Sequence, residues 1–134
     1  MSSIFSRIIA GEIPCHKIAE TEDCFAFLDV RPLAEGHTLV VPKKEVDYIF
    51  DVDNDTLANM MVFAKKVGRS IEQVVPCVRI GVAVIGLEVP HAHIHLIPLN
   101  QLSDMDFKRK PLNLSSERMS ELAAAISKQY QSLS

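Results

Sequence analysis

The chain has 134 residues, 48% of them hydrophobic and 23% charged, which is the size and make-up of one globular domain with its own core rather than of a disordered segment. Its formal net charge of -3 gives no electrostatic case for broad binding to nucleic acid or to a membrane surface, although a small anionic ligand can still meet a locally positive site. No apolar run reaches the roughly 18–20 residues of a membrane span, and residues 1–10 lack the basic-then-apolar pattern of a secretory signal.

In chain order, Ile4, Phe5, Ile8 and Ile9 recur at helical spacing and predict a short opening helix, ended by Gly11 and Pro14. Residues 16–19 read as a short strand. Residues 24–30, with Phe25, Phe27 and Val30, read as a second. Pro32 and Gly36 mark a turn into a third strand over 37–41, closed by Pro42. Residues 54–75 place Leu57, Met60, Met61, Ala64, Val67, Ile71 and Val74 on the apolar stripe of a long amphipathic helix, with Asp53 as N-cap. Residues 78–85 predict a fourth strand and 91–97 a fifth. Residues 100–114 are polar and irregular, and Ser115 or Ser116 caps a last helix running to Tyr130, with Met119, Leu122, Ala123 and Ile126 inward. Short connections between strands imply an α+β fold: about five antiparallel strands, one long helix packed on them, a short N-terminal helix and a C-terminal helix. One domain over residues 1–134 is expected. Cys15, Cys24 and Cys77 form neither a CxxC clip nor a disulfide framework, so the expected setting is reducing and cytoplasmic.

The most informative run is Pro90-His91-Ala92-His93-Ile94-His95-Leu96-Ile97-Pro98, which holds three of the five histidines in the chain. With a side-chain period of two, an extended backbone turns all three imidazoles to one side and Ala92, Ile94 and Leu96 to the other. Spacing alone leaves three readings open: a zinc site, since HxH on a strand presents two imidazoles to a metal; nucleophilic or acid–base catalysis; or hydrogen-bonded structural histidines. No carboxylate lies within the row to complete a metal set. Two other signals are weaker. Residues 51–62 begin like a calcium loop but have Thr56 and Val62 where glycine and glutamate are needed. Lys108, Arg109 and Lys110 read as a solvated basic run.

The histidine row resembles the HφHφHφφ signature of the histidine triad (HIT) family. Three further segments resemble that family in the same order: residues 4–14, IFSRIIAGEIP; residues 26–32, AFLDVRP; and residues 36–44, GHTLVVPKK. The resemblance covers about residues 2–99, with 100–134 as a C-terminal loop and helix. It implies a HIT-like fold and a nucleotide site. His93 falls at the family's nucleophile, which attacks the α-phosphorus and forms a nucleotidyl-histidine intermediate that water resolves. His95 and His37 match positions that contact the phosphate, and His91 lies on the same face and orients the site. Asp29 matches the position that binds the ribose hydroxyls. Phe5, Ile8, Phe27, Val30 and Leu39 match the apolar slot around the base, although ordinary core would look the same. The implied substrate is a purine nucleotide or nucleoside phosphoramidate. The alternatives are a dinucleoside polyphosphate hydrolase, a catalytically weak nucleotide-binding protein, or a metal-binding module. A homodimer with joined sheets is also implied, and no cofactor is.

The chain departs from the family pattern in two places. Many bacterial members hold zinc with two cysteines, a histidine after Pro-Lys-Lys and the first triad histidine. Here those positions are Ser3, Ser6 and Glu45, so no metal is expected and His91 is left free. The loop before the triad carries Ile80, Leu87 and Glu88 where Asn, Gln and Ser are common. A carboxylate at about 4 Å from a phosphate would cost about 1 kcal/mol in water and about 4 at an effective dielectric of 20. Glu88 therefore either points away or serves the leaving group.

Overall fold

Alternation along three strands organises the molecule. In the computed structural model, which describes residues 2–133, the elements run α1 (Ile4–Ile9), β1 (Lys17–Glu20), β2 (Cys24–Leu28), β3 (Thr38–Pro42), α2 (Asn54–Glu72), β4 (Arg79–Ala83), β5 (Ile94–Leu99) and α3 (Ser116–Ser132), with 3-10 turns at Ile49–Asp51 and Leu102–Met105. The strands form one sheet in the order β1-β2-β3-β5-β4, every neighbouring pair antiparallel. The fold is α+β, as the order of elements predicts.

β2 and β3 are buried on both faces, because each face has its own cover. Cys24, Ala26, Leu28, Val40, Ile94 and Leu96 turn toward the long helices. There they share one apolar cluster with Met60, Phe63, Val67 and Ile71 of α2 and with Met119, Leu122 and Ile126 of α3. The alternate residues Phe25, Phe27, Leu39 and Val41 turn the other way and pack with Phe5 of α1, flanked by Ile8 and Ile9. Each such side chain withdrawn from water contributes about 1.5–3 kcal/mol. α2 begins where expected: Asp53 Oδ2 accepts from the Thr56 N–H at 3.0 Å. No helix of the described residues is long and apolar enough to cross a membrane.

Three expected strand limits are corrected, the first being β4, which ends at Ala83 and not at Ile85. β2 ends at Leu28, not Val30, because the Arg31 N–H donates to Asp29 Oδ1 at 2.9 Å and closes a side-chain turn instead of continuing the ladder. Val30 is consequently 72% exposed and does not belong to the apolar cluster. β5 starts at Ile94, not His91. The His91 N–H donates to the Val89 carbonyl and the Ala92 N–H to the Val46 carbonyl, at 2.8 and 2.7 Å, so this stretch is held by loops. Alternation survives there: Ala92 joins the helix-side core, while the rings of His91 and His93 lie against Phe5 on the opposite side.

The turn between β2 and β3 needs its glycine. Gly36 has φ +90°, and a Cβ there would meet Val75 Cγ2 at 2.9 Å. That turn is also tied to α3, where the Arg118 guanidinium donates to both Glu35 carboxylate oxygens at 2.8 and 2.9 Å. Both contacts bear on the entry to His37.

Candidate active site

Four histidines meet on the face of the sheet opposite the long helices. The turn leading into β3 supports His37, β5 supports His95, and the loop leading into β5 supports His91 and His93. The His93 and His95 ring centroids are 4.9 Å apart and those of His37 and His95 5.2 Å. All four residues are buried.

Backbone groups decide which nitrogen of each ring carries the proton. The His91 carbonyl can only accept, and His93 Nδ1 lies 2.7 Å from it. His93 therefore holds its proton on Nδ1 and has a lone pair on Nε2. The Leu33 N–H can only donate, and it donates to His37 Nδ1 at 3.0 Å. His37 thus carries its proton on Nε2 and donates it to His95 Nδ1 at 3.0 Å. His95 is left with an Nε2–H. Among the described residues no buried side-chain nitrogen or oxygen lacks a partner. The Nε2 atoms of His93 and His95 have no partner among the described residues, so they open to the surface. Side by side they offer a nucleophilic lone pair and a donor for charge developing on an oxygen.

Burial disfavours the charged form of His95 and His37. It pushes the His95 imidazole down to about 3, helped by the neighbouring His37 and His93. Burial also lowers His37, against an opposing pull from Asp29, whose Oδ2 is 3.5 Å from His37 Nε2.

His91 is not free, which corrects the expectation drawn from its missing zinc partners. Its Nε2–H donates to the Pro42 carbonyl at 2.8 Å. Its Nδ1 accepts from the Ser3 hydroxyl at 2.7 Å, with Ser6 Oγ at 3.5 Å. Glu45 Oε1 accepts from the Ser3 N–H at 2.6 Å and from the Ser6 hydroxyl at 2.7 Å. These residues do meet in space, but as a hydrogen-bonded set. Two neutral hydroxyls and one carboxylate are poor zinc ligands, and the only lone pair on His91 is already used. A second group, Asp29, His37 and His95, has its candidate ligand atoms within 4.8 Å of one another. It suits a metal no better: the Leu33 bond keeps the His37 proton on Nε2, the atom that would have to face the ion.

The other candidates divide. Phe5, Phe27 and Leu39 lie together in the cluster beside the histidines, with Ile8 at its edge. The Phe5 ring is 5.1 Å from that of His93, edge to face. Asp29 stands next to His37. Val30 faces solvent, away from this cluster. Glu88 is exposed, and no hydrogen bond or ion pair joins it to a described residue, although the adjacent Val89 packs on the Phe5–Phe27 cluster. Sequence reasoning missed Phe107, whose ring lies 4.8 Å from His95 and 6.4 Å from His37. Its only signal is that it is the one aromatic residue in the polar run 100–114.

Comparison with known proteins shows the family and the fold. A family model described as "HIT domain" matches residues 10–102. An uncharacterized HIT-like protein of Borreliella burgdorferi is 33% identical over 132 residues, covering 92% of this chain and 95% of that one. An adenosine 5′-monophosphoramidase of Schizosaccharomyces pombe is 35% identical over 99 residues, 73% of this chain and 74% of that one. Among solved structures, a HIT-like protein of Bartonella henselae superposes with a TM-score of 0.82 at 29% identity, covering 96% of each chain. A zinc-bound histidine triad family protein of Mycobacterium smegmatis superposes with a TM-score of 0.81 at 26% identity, covering 98% of this chain and 94% of that one.

Proposed function

The chain belongs to the HIT domain family, and from that premise we propose that it is a nucleotide hydrolase acting on purine nucleoside phosphoramidates through His93. The observation that carries this reading is the 2.7 Å bond from His93 Nδ1–H to the His91 carbonyl, which leaves Nε2 unprotonated and aimed outward. The phosphoramidase relative from Schizosaccharomyces pombe supports the choice of substrate.

In the first step His93 Nε2 forms a bond to the α-phosphorus. The P–N bond breaks, and the nitrogen leaves as an amine with the bonding pair, taking a proton from solvent. In the second step water attacks phosphorus, the P–Nε2 bond breaks and its pair returns to His93. The released water proton passes to solvent, and a nucleoside 5′-monophosphate leaves. His95 Nε2–H donates to a phosphoryl oxygen as charge builds there. His37 holds His95 in that tautomer. Asp29 accepts from the ribose hydroxyls, and Phe5, Ile8, Phe27 and Leu39 border the base. Glu88, with an unpaired carboxylate, accepts from the departing amine and disfavours a polyphosphate leaving group by repulsion. Val30 is left at the rim.

The assembly we propose is a homodimer. β4 is an edge strand, and it exposes Val82 beside exposed Met61 and Val62 of α2, an apolar edge of the sort that a second sheet covers.

The test is release of AMP from adenosine 5′-phosphoramidate. His93→Ala is expected to lose turnover by at least about a thousandfold, since the group that forms the intermediate is gone. Unchanged turnover in that variant would refute the nucleophile assignment. AMP bound without turnover by the unaltered protein would mean a nucleotide-binding protein instead.

A further inference from the structure

The hydrogen-bonded set at Ser3, Ser6, Glu45 and His91 does something that the two-step chemistry leaves unexplained. We propose that Glu45, Ser3 and Ser6 are positioning residues which, through His91 and α1, hold His93 in its attacking orientation. The inference rests on the reading of His93 as nucleophile.

Proton directions in the set leave no freedom. The Pro42 carbonyl accepts only, so His91 carries its proton on Nε2 and must accept at Nδ1. The Ser3 hydroxyl donates to that Nδ1. Having spent its one hydrogen, Ser3 Oγ accepts from the Ser6 N–H at 3.0 Å and so caps α1. The Ser6 hydroxyl and the Ser3 N–H then both donate to a single carboxylate oxygen of Glu45, and these two bonds hold that carboxyl below its ordinary range. The chain of donors ends on a charge and begins on a carbonyl of β3. Reversing either bond to the His91 ring would leave a buried group unpaired.

Two supports of His93 depend on this set. One is the His91 carbonyl, which takes the His93 Nδ1–H. The ring of His91, fully buried and held at both nitrogens, fixes where that carbonyl sits. The other is Phe5, whose ring meets both His91 and His93 edge to face. Phe5 lies on α1, whose start is pinned by Ser3 and Glu45. Loss of the Ser3 hydroxyl therefore loosens the carbonyl and the aromatic wall together. The attacking nitrogen needs to be placed to within a fraction of an ångström, and a small misplacement of that kind costs about ten- to a hundredfold in rate.

The experiment reads tautomers and kinetics on the full chain. Long-range proton–nitrogen NMR of the histidine rings is recorded for the unaltered protein and for Ser3→Ala, Ser3→Thr, Glu45→Ala and Glu45→Gln. AMP release from adenosine 5′-phosphoramidate is measured for each. In the unaltered protein His91 should carry its proton on Nε2 and His93 on Nδ1. In Ser3→Ala and Glu45→Ala the His93 Nδ1–H signature should average out. Their kcat should fall about ten- to a hundredfold with KM within about twofold. Ser3→Thr, which keeps the hydroxyl, and Glu45→Gln, which keeps an acceptor, should recover most of both. A His93 signature and kcat that stay unaltered in Glu45→Ala would overturn the proposal. Glu45 is exposed, so this variant decides the matter even if the buried Ser3→Ala fails to fold. If the unaltered protein shows no turnover, the functional reading fails, and the ring spectra still decide whether the set positions His93.

Discussion

At the scale of single residues, backbone groups that can act in only one way set the chemistry. The Leu33 N–H, the His91 carbonyl and the Pro42 carbonyl assign the proton on His37, His93 and His91, and His95 follows from His37. The alternation of His91, His93 and His95 is readable in the chain. The direction of each proton is not, because two of these three partners come from β3 or the turn before it. Burial lowers His37, His91 and His95, so in the unfolded chain these rings take up protons near pH 6.5 while the folded rings resist. Between that pH and about 3, the value for His95, the unfolded state binds more protons. Stability must therefore fall as pH falls, by roughly 1 kcal/mol per pH unit for each withheld proton. Denaturant melts from pH 7.5 to 4 should show this decline, and a flat profile would mean that the rings are not buried as described. The ring nitrogens of His37 and His91 are all engaged in hydrogen bonds, so prolonged chelation should leave AMP release unchanged, and a loss restored by zinc would contradict this.

At the scale of elements, the helices were nearly complete in the sequence and the loops were not. Asp53 and Ser115 cap α2 and α3 at the residues expected, since capping depends on neighbours three positions away. β2 and β5 were each drawn too long at the site end, because Asp29 and Val89 take hydrogen bonds away from the ladder. The largest omission is the 100–114 segment, read as polar and irregular. It is pinned by the Leu112 N–H to the Pro32 carbonyl at 2.8 Å, and it lays Phe107 against His95. Phe107→Ala should admit water there, raise the His95 titration toward 6.5 in an NMR pH series, and lower kcat; a His95 titration that does not move would remove Phe107 from the site. Gly36→Ala should cost about 2–4 kcal/mol, combining a left-handed backbone with an overpacked contact. Thermal melting checks this, and a near-neutral result would mean that the turn relaxes freely.

At the scale of the whole molecule, the sheet has unequal edges. β4 ends it with Arg79 and Val82 exposed, while the opposite edge, β1, is covered in part by α3, and α2 leaves Met61 and Val62 outward. A charge at the centre of the proposed seam, Val82→Lys, should shift the protein to monomer in sedimentation without unfolding it. A monomeric unaltered protein would remove the dimer altogether.

The sequence by itself determined the family, the α+β order of elements, the two-faced strands and the histidine row. These follow from period, capping and turn chemistry, all of which act within a few residues. Packing in three dimensions supplied the rest: Ser3, Ser6 and Glu45 close on His91, His37 donates to His95, Phe107 covers them, and Val30 turns away. Those contacts join groups up to 88 positions apart, and hydrogen bonds and ring packing act over a few ångströms whatever their separation along the chain. Periodicity shows which way such a side chain faces; only packing supplies what it meets.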